Sequence, residues 1–451
     1  MNNMLFINLR KEGRSFFEAV SKANETVYLI LLTLYETIYF MLKFGWAEEA
    51  GDIVGYIRYS LLAVVMWGSA LYLFFVIASW KKLWNKNLAL IAVGGVILWA
   101  TWLFSKKMTT NLYGVVMDVF FCLMACGKDY RKMLRCLLCV AVVMLVLAGI
   151  GMPLGYTMDL AKPDNPHPGH SLGINYPNNW GYLVFLGMMI FWYLYLRFRP
   201  LVTFALFWGV SVFMYFYICC RTISLLGIAF PVMALAVDRI EKYADGAERR
   251  GEEEKQGKAS LIEFLSGIII AMPFFAFAFM LFASMQYEWV HKHFYGTWFH
   301  NFAMRFVQGG LYFRTYGLPL VGNPYRANQF TYVNVNGVFE KVGILDSSFA
   351  AYIIMRGIIW LMYTLAWLSA AIWKALKNRD YAIPFLEFII LIFAMMERPG
   401  LEVWYNFVLL YPLAKVAVGA NVKRESEKPE ESEKPEEPEE PEEPEGQCLA
   451  E

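Results

Sequence analysis

The feature that most constrains this chain is a series of long apolar runs nearly free of charge. A run of about 18 or more such residues matches the hydrocarbon thickness of a bilayer at helical rise. An open sheet would leave backbone groups unpaired in lipid, so runs of this kind form helices. They fall at residues 25–45, 59–80, 87–105, 111–127, 133–152, 179–196, 200–220, 222–237, 261–284, 348–373, 381–397 and 401–418. The spacing predicts an all-α integral membrane fold with about twelve transmembrane helices. Only 18% of the 451 residues are charged, against about a quarter in a soluble domain. A net charge of +1 gives no sign of a nucleic-acid partner.

Orientation follows from where Lys and Arg fall. With a cytoplasmic N-terminus, the inner segments hold Arg10, Lys11, Arg14 and Lys22, then Lys81, Lys82 and Lys86, then Lys128, Arg131, Lys132 and Arg135. Arg197, Arg199, Arg239, Arg249, Arg250, Lys374, Lys377 and Arg379 follow on the same side. The first outer turn carries Glu48, Glu49 and Asp52, and Lys106–Lys107 is the exception to the pattern. The chain divides into a cytoplasmic segment 1–24, a polytopic domain 25–418 and a tail 419–451. The first apolar run lacks a small-residue cleavage site and is expected to be a retained span. Both termini are then cytoplasmic. The tail repeats Glu-Ser-Glu-Lys-Pro-Glu and then Glu-Glu-Pro, a composition with no apolar surface to bury, which predicts disorder.

Two long connections, 153–178 and 285–347, share the outer face in this arrangement, and connections of that length are usually functional. The second holds Lys292, Arg305, Arg314, Arg326 and Lys341 among many aromatic residues, including Trp289, Tyr295, Phe306, Tyr312, Phe313 and Tyr316. Guanidinium groups fork onto phosphate oxygens, and flat rings pack on the apolar faces of sugars. The set suits an anionic lipid head joined to sugars; the alternative is an aromatic cap at the membrane interface. Arg221 lies between two apolar runs with almost no loop, a depth at which charge is costly and marks a cavity or a ligand, or else a carbonyl capped at the helix turn. His170, in the turn-rich segment His170–Gly181 that also holds Asn178, offers a titratable ring. His291 and His293 lack a third ligand at metal spacing, so no metal site is expected.

Several short segments resemble the boxes of the bacterial polysaccharide repeat-unit polymerases of the Wzy type. Gly173 to Gly181 is similar to their first Ser-Leu-Gly box, and Cys220-Arg221-Thr222-Ile223-Ser224-Leu225 to their Ser-Arg-Thr-Ser-Leu-Leu box. Arg305-Phe306 followed by Tyr316–Gly322 resembles the stretch leading into their outer loop. Leu345-Asp346-Ser347-Ser348-Phe349 resembles the box that opens the following span, and Glu397 through Asn406-Phe407 their penultimate region. The boxes keep the family's order over residues 165–410. The family often has Arg before its Ser-Leu-Gly, His before Pro-Asn and Asn after Asp, where this chain has His170, Tyr176 and Ser347.

The resemblance implies a GT-C-like membrane glycosyltransferase related to O-antigen ligases that needs no metal or cofactor. Its donor would be a glycan on undecaprenyl diphosphate and its acceptor the next lipid-linked oligosaccharide repeat unit, on the outer face of the bacterial plasma membrane. Other polysaccharide-assembly proteins would be its partners. Carried onto this chain, it implies that Arg221 and Arg305 bind and stabilise the diphosphate and that Asp346 is the general base. Arg314, Arg326, His170 and Asn178 would contact substrate. The rivals are a ligase that passes the glycan to another acceptor and a flippase or exporter. Exporters tend to show internal repeats and intramembrane charges in paired halves, neither of which is expected here.

Overall fold

A computed structural model of the chain describes residues 24–41, 44, 46, 48–79, 92–96, 112–159, 170–174, 177–249, 265–297, 299–322, 331–335, 338–342 and 345–416. In chain order these form α1 (residues 24–41), α2 (Glu48–Ser79), α3 (Leu112–Met124), α4 (Tyr130–Gly151), α5 (Pro177–Phe191), α6 (Pro200–Phe213), α7 (Arg221–Arg249), α8 (Met272–Met285), α9 (Tyr287–Phe294) and α10 (His300–Tyr316). A two-stranded antiparallel hairpin, β1 (Thr331–Val335) and β2 (Val338–Val342), precedes α11 (Ser348–Arg356), α12 (Ile358–Lys377) and α13 (Ala382–Met396). The tail 419–451 and most of the run 87–105 lie outside the described residues.

The helices are inside-out by the standards of a soluble protein. α6 and the π-helical turn that extends it to Ile218 bury Thr203, Phe207, Ser211, Met214 and Ile218, a helical spacing that includes two hydroxyls. The opposite face exposes Leu201, Val202, Trp208, Val212 and Phe216. α4, which starts where Asp129 accepts hydrogen bonds from the backbone N–H groups of Arg131 and Lys132, likewise exposes Val142, Val143, Val146, Leu147 and Ile150. Continuous apolar faces of this size are not left to water; lipid is their solvent. Among the described residues, six helical stretches are long and apolar enough to cross a bilayer: Ile53–Leu73, Tyr130–Gly151, Pro177–Leu196, Pro200–Ile218, Arg221–Glu241 and Ile358–Lys377. Met272–Met285 and Ala382–Met396 are apolar but shorter.

Three expectations are corrected. The run 348–373 is two helices, broken at Gly357 (φ +94°). The Gly317–Gly322 segment docks into the break: Ile358 donates its N–H to the Pro319 carbonyl (2.9 Å), and a Cβ on Gly357 would stand 2.2 Å from the Leu320 oxygen. The run 401–418 is not one long helix: its described part, 401–416, is a buried irregular segment with one 3₁₀ turn, Phe407–Leu410. Non-helical backbone at membrane depth needs partners inside the protein. It finds them: Trp367 Nε1 donates to the Leu409 carbonyl (2.8 Å), Tyr352 to that of Leu401 (2.7 Å), and Lys374 Nζ to those of Tyr411, Pro412 and Ala414. The connection 285–347 is largely built: it contains α9, α10 and the hairpin, and α10 buries Phe306, Tyr312 and Phe313, so these rings are core and not sugar platforms. Trp289 and Tyr295 remain exposed.

A buried charge network joins residues from three of the predicted runs. Arg356, at the end of α11, pairs with Asp118 of α3 (3.1 Å) and Glu402 (3.2 Å) and lies over the Tyr352 ring (4.2 Å to its centre). Asp118 also accepts the N–H of Val403 (3.1 Å). Removing one member of a buried set like this strands the others, at a cost of about 3–5 kcal/mol. The network ties α3 and α11 to the irregular segment, and with them the start of α11, where the candidate site lies.

Candidate functional site

The site begins with how α10 is seated. Its Gly310 lies where a Cβ would meet the Ser284 carbonyl of α8 at 2.2 Å and the Tyr287 side chain at 2.6 Å. Small residues let membrane helices approach this closely, and the approach fixes the helix that carries Arg305. From α10 the Arg305 side chain meets two carboxylates. Nη1 forms an ion pair and hydrogen bond with Asp346, in the segment just before α11. Nη2 lies 3.9 Å from Oε1 of Glu397, the residue that caps the C-terminus of α13.

Glu397 is fixed from several sides. Its Oε2 accepts a hydrogen bond from the Tyr182 hydroxyl of α5. Its backbone carbonyl accepts one from Ser348, whose own oxygen accepts the N–H of Gly400 (2.8 Å). It is 5% exposed, whereas the side chains of Arg305 and Asp346 are 21% and 27% exposed. The pair is therefore half-open and its anchor shut away. The N-cap position of α11 is Ser347, one residue beyond Asp346, and Asp346 is engaged by the guanidinium.

Four of the segments singled out in the sequence meet here or one residue away. Arg305, Asp346 and Glu397 are in mutual contact through the guanidinium. Tyr182 follows Gly181, against which the Cys220 sulfur packs, and Arg221 is the next residue, exposed, at the start of α7. Asn178 is half-buried four residues before Tyr182, on the same side of α5. Arg314 is not brought to this cluster. It lies nine residues further along α10, roughly 13 Å at helical rise, mostly exposed and bonded to Tyr287 and Glu288. Arg326 lies outside the described residues.

His170 is part of a local scaffold. Its Nδ1 donates to Asp159 (2.7 Å), its N–H to the Tyr217 carbonyl (3.1 Å), and its ring stacks on Tyr217 with centres 4.4 Å apart. Asp159 also accepts from the Ser171 N–H (2.6 Å) and hydroxyl (3.2 Å) and from the Leu172 N–H (3.2 Å). Partial burial opposes ionisation of Asp159, but these donors outweigh it and hold the carboxyl below its usual range. A carboxyl depressed on folding adds stability above its unfolded value, about 3.9, and loses it as pH falls through the folded value. Asp159→Asn is therefore expected to lower the melting temperature at neutral pH. The gap to the parent protein should close as the pH falls below about 4, which thermal melts of the detergent-solubilised protein across that range would read.

Sequence reasoning missed Glu397, Tyr182 and Asp159 as partners. Glu397 enters from the end of another helix, far along the chain from Arg305 and Asp346. Among the described residues no cluster of three or more His, Cys, Asp or Glu is arranged to hold a metal. Between α8, α9 and α10 runs an open apolar groove of about 620 Å³, lined by Phe279, Phe282, Trp289, Phe294, Phe302 and Phe306, the last adjacent in sequence to Arg305. In comparisons with known proteins, the chain matches no protein-family model, and neither a curated protein nor a solved structure is significantly similar to it.

Proposed function

We propose that the chain is a membrane glycosyltransferase that polymerises oligosaccharide repeat units carried on undecaprenyl diphosphate, at the outer face of a bacterial plasma membrane. The observation that carries this reading is the half-open Arg305–Asp346 pair, backed by buried Glu397, with an apolar groove beginning at the next residue of α10. A cation–carboxylate pair whose cation lies on a helix that also lines an apolar groove suits a substrate with a charged head and a long hydrocarbon chain. Arg305, with Arg221, binds the diphosphate and stabilises the charge that builds on it. The acceptor hydroxyl attacks the anomeric carbon, the bond to the diphosphate breaks, and the lipid diphosphate leaves with the electron pair. Asp346 takes the hydroxyl proton. Cations of the protein meet the diphosphate, so the scheme needs neither metal nor cofactor. The fold that goes with this reading is the GT-C-like one, with about twelve spans and both termini inside.

The direct test is the purified full chain in nanodiscs with lipid-linked repeat units. A ladder of polymer is expected; a single transfer to a different acceptor would instead identify a ligase. The buried Asp118–Arg356–Glu402 network favours a second reading, an exporter of lipid-linked sugar, because intramembrane charges also mark transport paths. Movement of labelled lipid-linked sugar across a proteoliposome membrane without chain growth would decide for it. Topology is tested separately. Reporter fusions after residues 165 and 310 are expected to read outside, and fusions after 250 and 430 inside. An inside signal at 310 would place Arg305 and Asp346 on the wrong side for this chemistry.

A further inference from the structure

In the structure the two groups given the central roles neutralise each other: the Arg305 Nη1 edge faces Asp346. So paired, the guanidinium edge is not open to a phosphate and the carboxylate is not open to a proton. Glu397 breaks the symmetry. It approaches the other edge of the same guanidinium from Nη2, is nearly fully buried, and is held by Tyr182 and, through its backbone, by Ser348. Asp346 is half-open and sits in non-helical chain before α11. Of the two partners, Asp346 is placed to let go and Glu397 to stay.

We propose that Arg305 exchanges partners when the donor binds: the anionic head takes the Nη1 edge from Asp346 while Glu397 keeps the guanidinium in place. The base is thereby released only in the presence of the diphosphate, so proton transfer is coupled to donor occupancy. This inference rests on the glycosyltransferase reading for its meaning. The exchange itself is a property of the three side chains and can be measured without turnover.

The test is calorimetric titration of the full chain in nanodiscs with inorganic pyrophosphate. Pairing with Asp346 lowers the fraction of binding-competent Arg305. Removing the competitor is therefore expected to tighten pyrophosphate binding by about tenfold in Asp346→Asn. Asp346→Ser gives the same reading should the Asn variant fail to fold. Glu397→Gln, which keeps an oxygen for Tyr182, is expected to change the affinity less than about threefold, because Glu397 stays in place in both states. Arg305→Gln should lose binding. Equal tightening in the Asp346 and Glu397 variants would show a general charge effect and overturn the exchange. So would unchanged affinity in Asp346→Asn, or no binding by either the parent protein or that variant at millimolar pyrophosphate. Polymer synthesis by the parent protein, together with unchanged pyrophosphate affinity in Asp346→Asn, would sink the exchange and leave the glycosyltransferase reading. Tighter binding in a chain that makes no polymer would do the reverse.

Discussion

Arg305→Ala is expected to abolish polymer synthesis, with a loss of at least about 10²–10³-fold, the scale on which a single charge-stabilising donor contributes in a preorganised site. The geometry explains why this position should be more sensitive than the other cations of 285–347. Arg305 bridges two carboxylates from distant parts of the chain, one of them buried. Alanine would leave Asp346 and Glu397 facing each other with no cation between them, so binding and local structure suffer together. Arg305→Lys separates these effects. A lysine restores one positive charge but has no planar fork with which to hold two partners at fixed angles. It is expected to recover folding, read by thermal melts, while recovering only a few percent of polymer, a residue consistent with loss of a bidentate contact worth about 2–3 kcal/mol. Full activity in the lysine variant would show that charge alone suffices. Arg314→Ala is the contrasting control, since Arg314 is mostly exposed and paired elsewhere.

Asp346→Asn is expected to fold and to lose turnover by about 10²–10⁴-fold, the usual contribution of a general base. The competing account of Asp346 is that it stabilises the start of a helix as a cap. The observed N-cap of α11 is Ser347, and asparagine retains an oxygen that serves a helix start almost as well as aspartate. A capping role therefore predicts near-normal turnover in this variant, and a base role predicts the large loss. The measurement is the rate of chain growth from purified lipid-linked repeat units at saturating donor. Excess EDTA with the parent protein completes it, because a carboxylate beside a diphosphate is also a place where a divalent ion can bridge. Inhibition by EDTA would overturn the scheme in which protein cations alone meet the charge.

The apolar periodicity carried the long helices because lipid imposes the same requirement along the whole length of a span. It did not separate a helical span from a buried irregular segment. Residues 401–416 are apolar for the same reason a helical span is, since both sit in a low-dielectric interior, and only the carbonyl partners supplied by Trp367, Tyr352 and Lys374 tell them apart. The break inside 348–373 had a local sign, Gly357, but its cause is the docking of Pro319 and Leu320 from a distant part of the chain. α10 was hidden in a supposed loop because Arg305, Gln308, Gly309 and Gly310 interrupt its apolar run, although its other face is core. Arg356 and Asp118 were legible as lone charges within predicted spans and could have been paired on that ground alone. Glu397 could not be placed at Arg305 from sequence, because four helices must assemble before they meet.

The docking of Gly317–Gly322 against Gly357 has a consequence for how this protein can change over generations. The chain is pinned on one side of the hairpin by that contact, where a Cβ on Gly322 would strike the backbone of Arg356 at 2.2 Å. It is pinned on the other by the Asp346–Arg305 pair. Whatever lies between 322 and 345 is an excursion with both feet fixed. Lengthening such an excursion costs only about 0.6 kcal/mol for each doubling, and it need not disturb the pair at its base. Insertions, deletions and wholesale replacement should accumulate there while residues 305–322 and 345–358 stay constant in length. A protein built this way can alter the hairpin and its flanks as a cassette, with its charged centre carried forward unchanged.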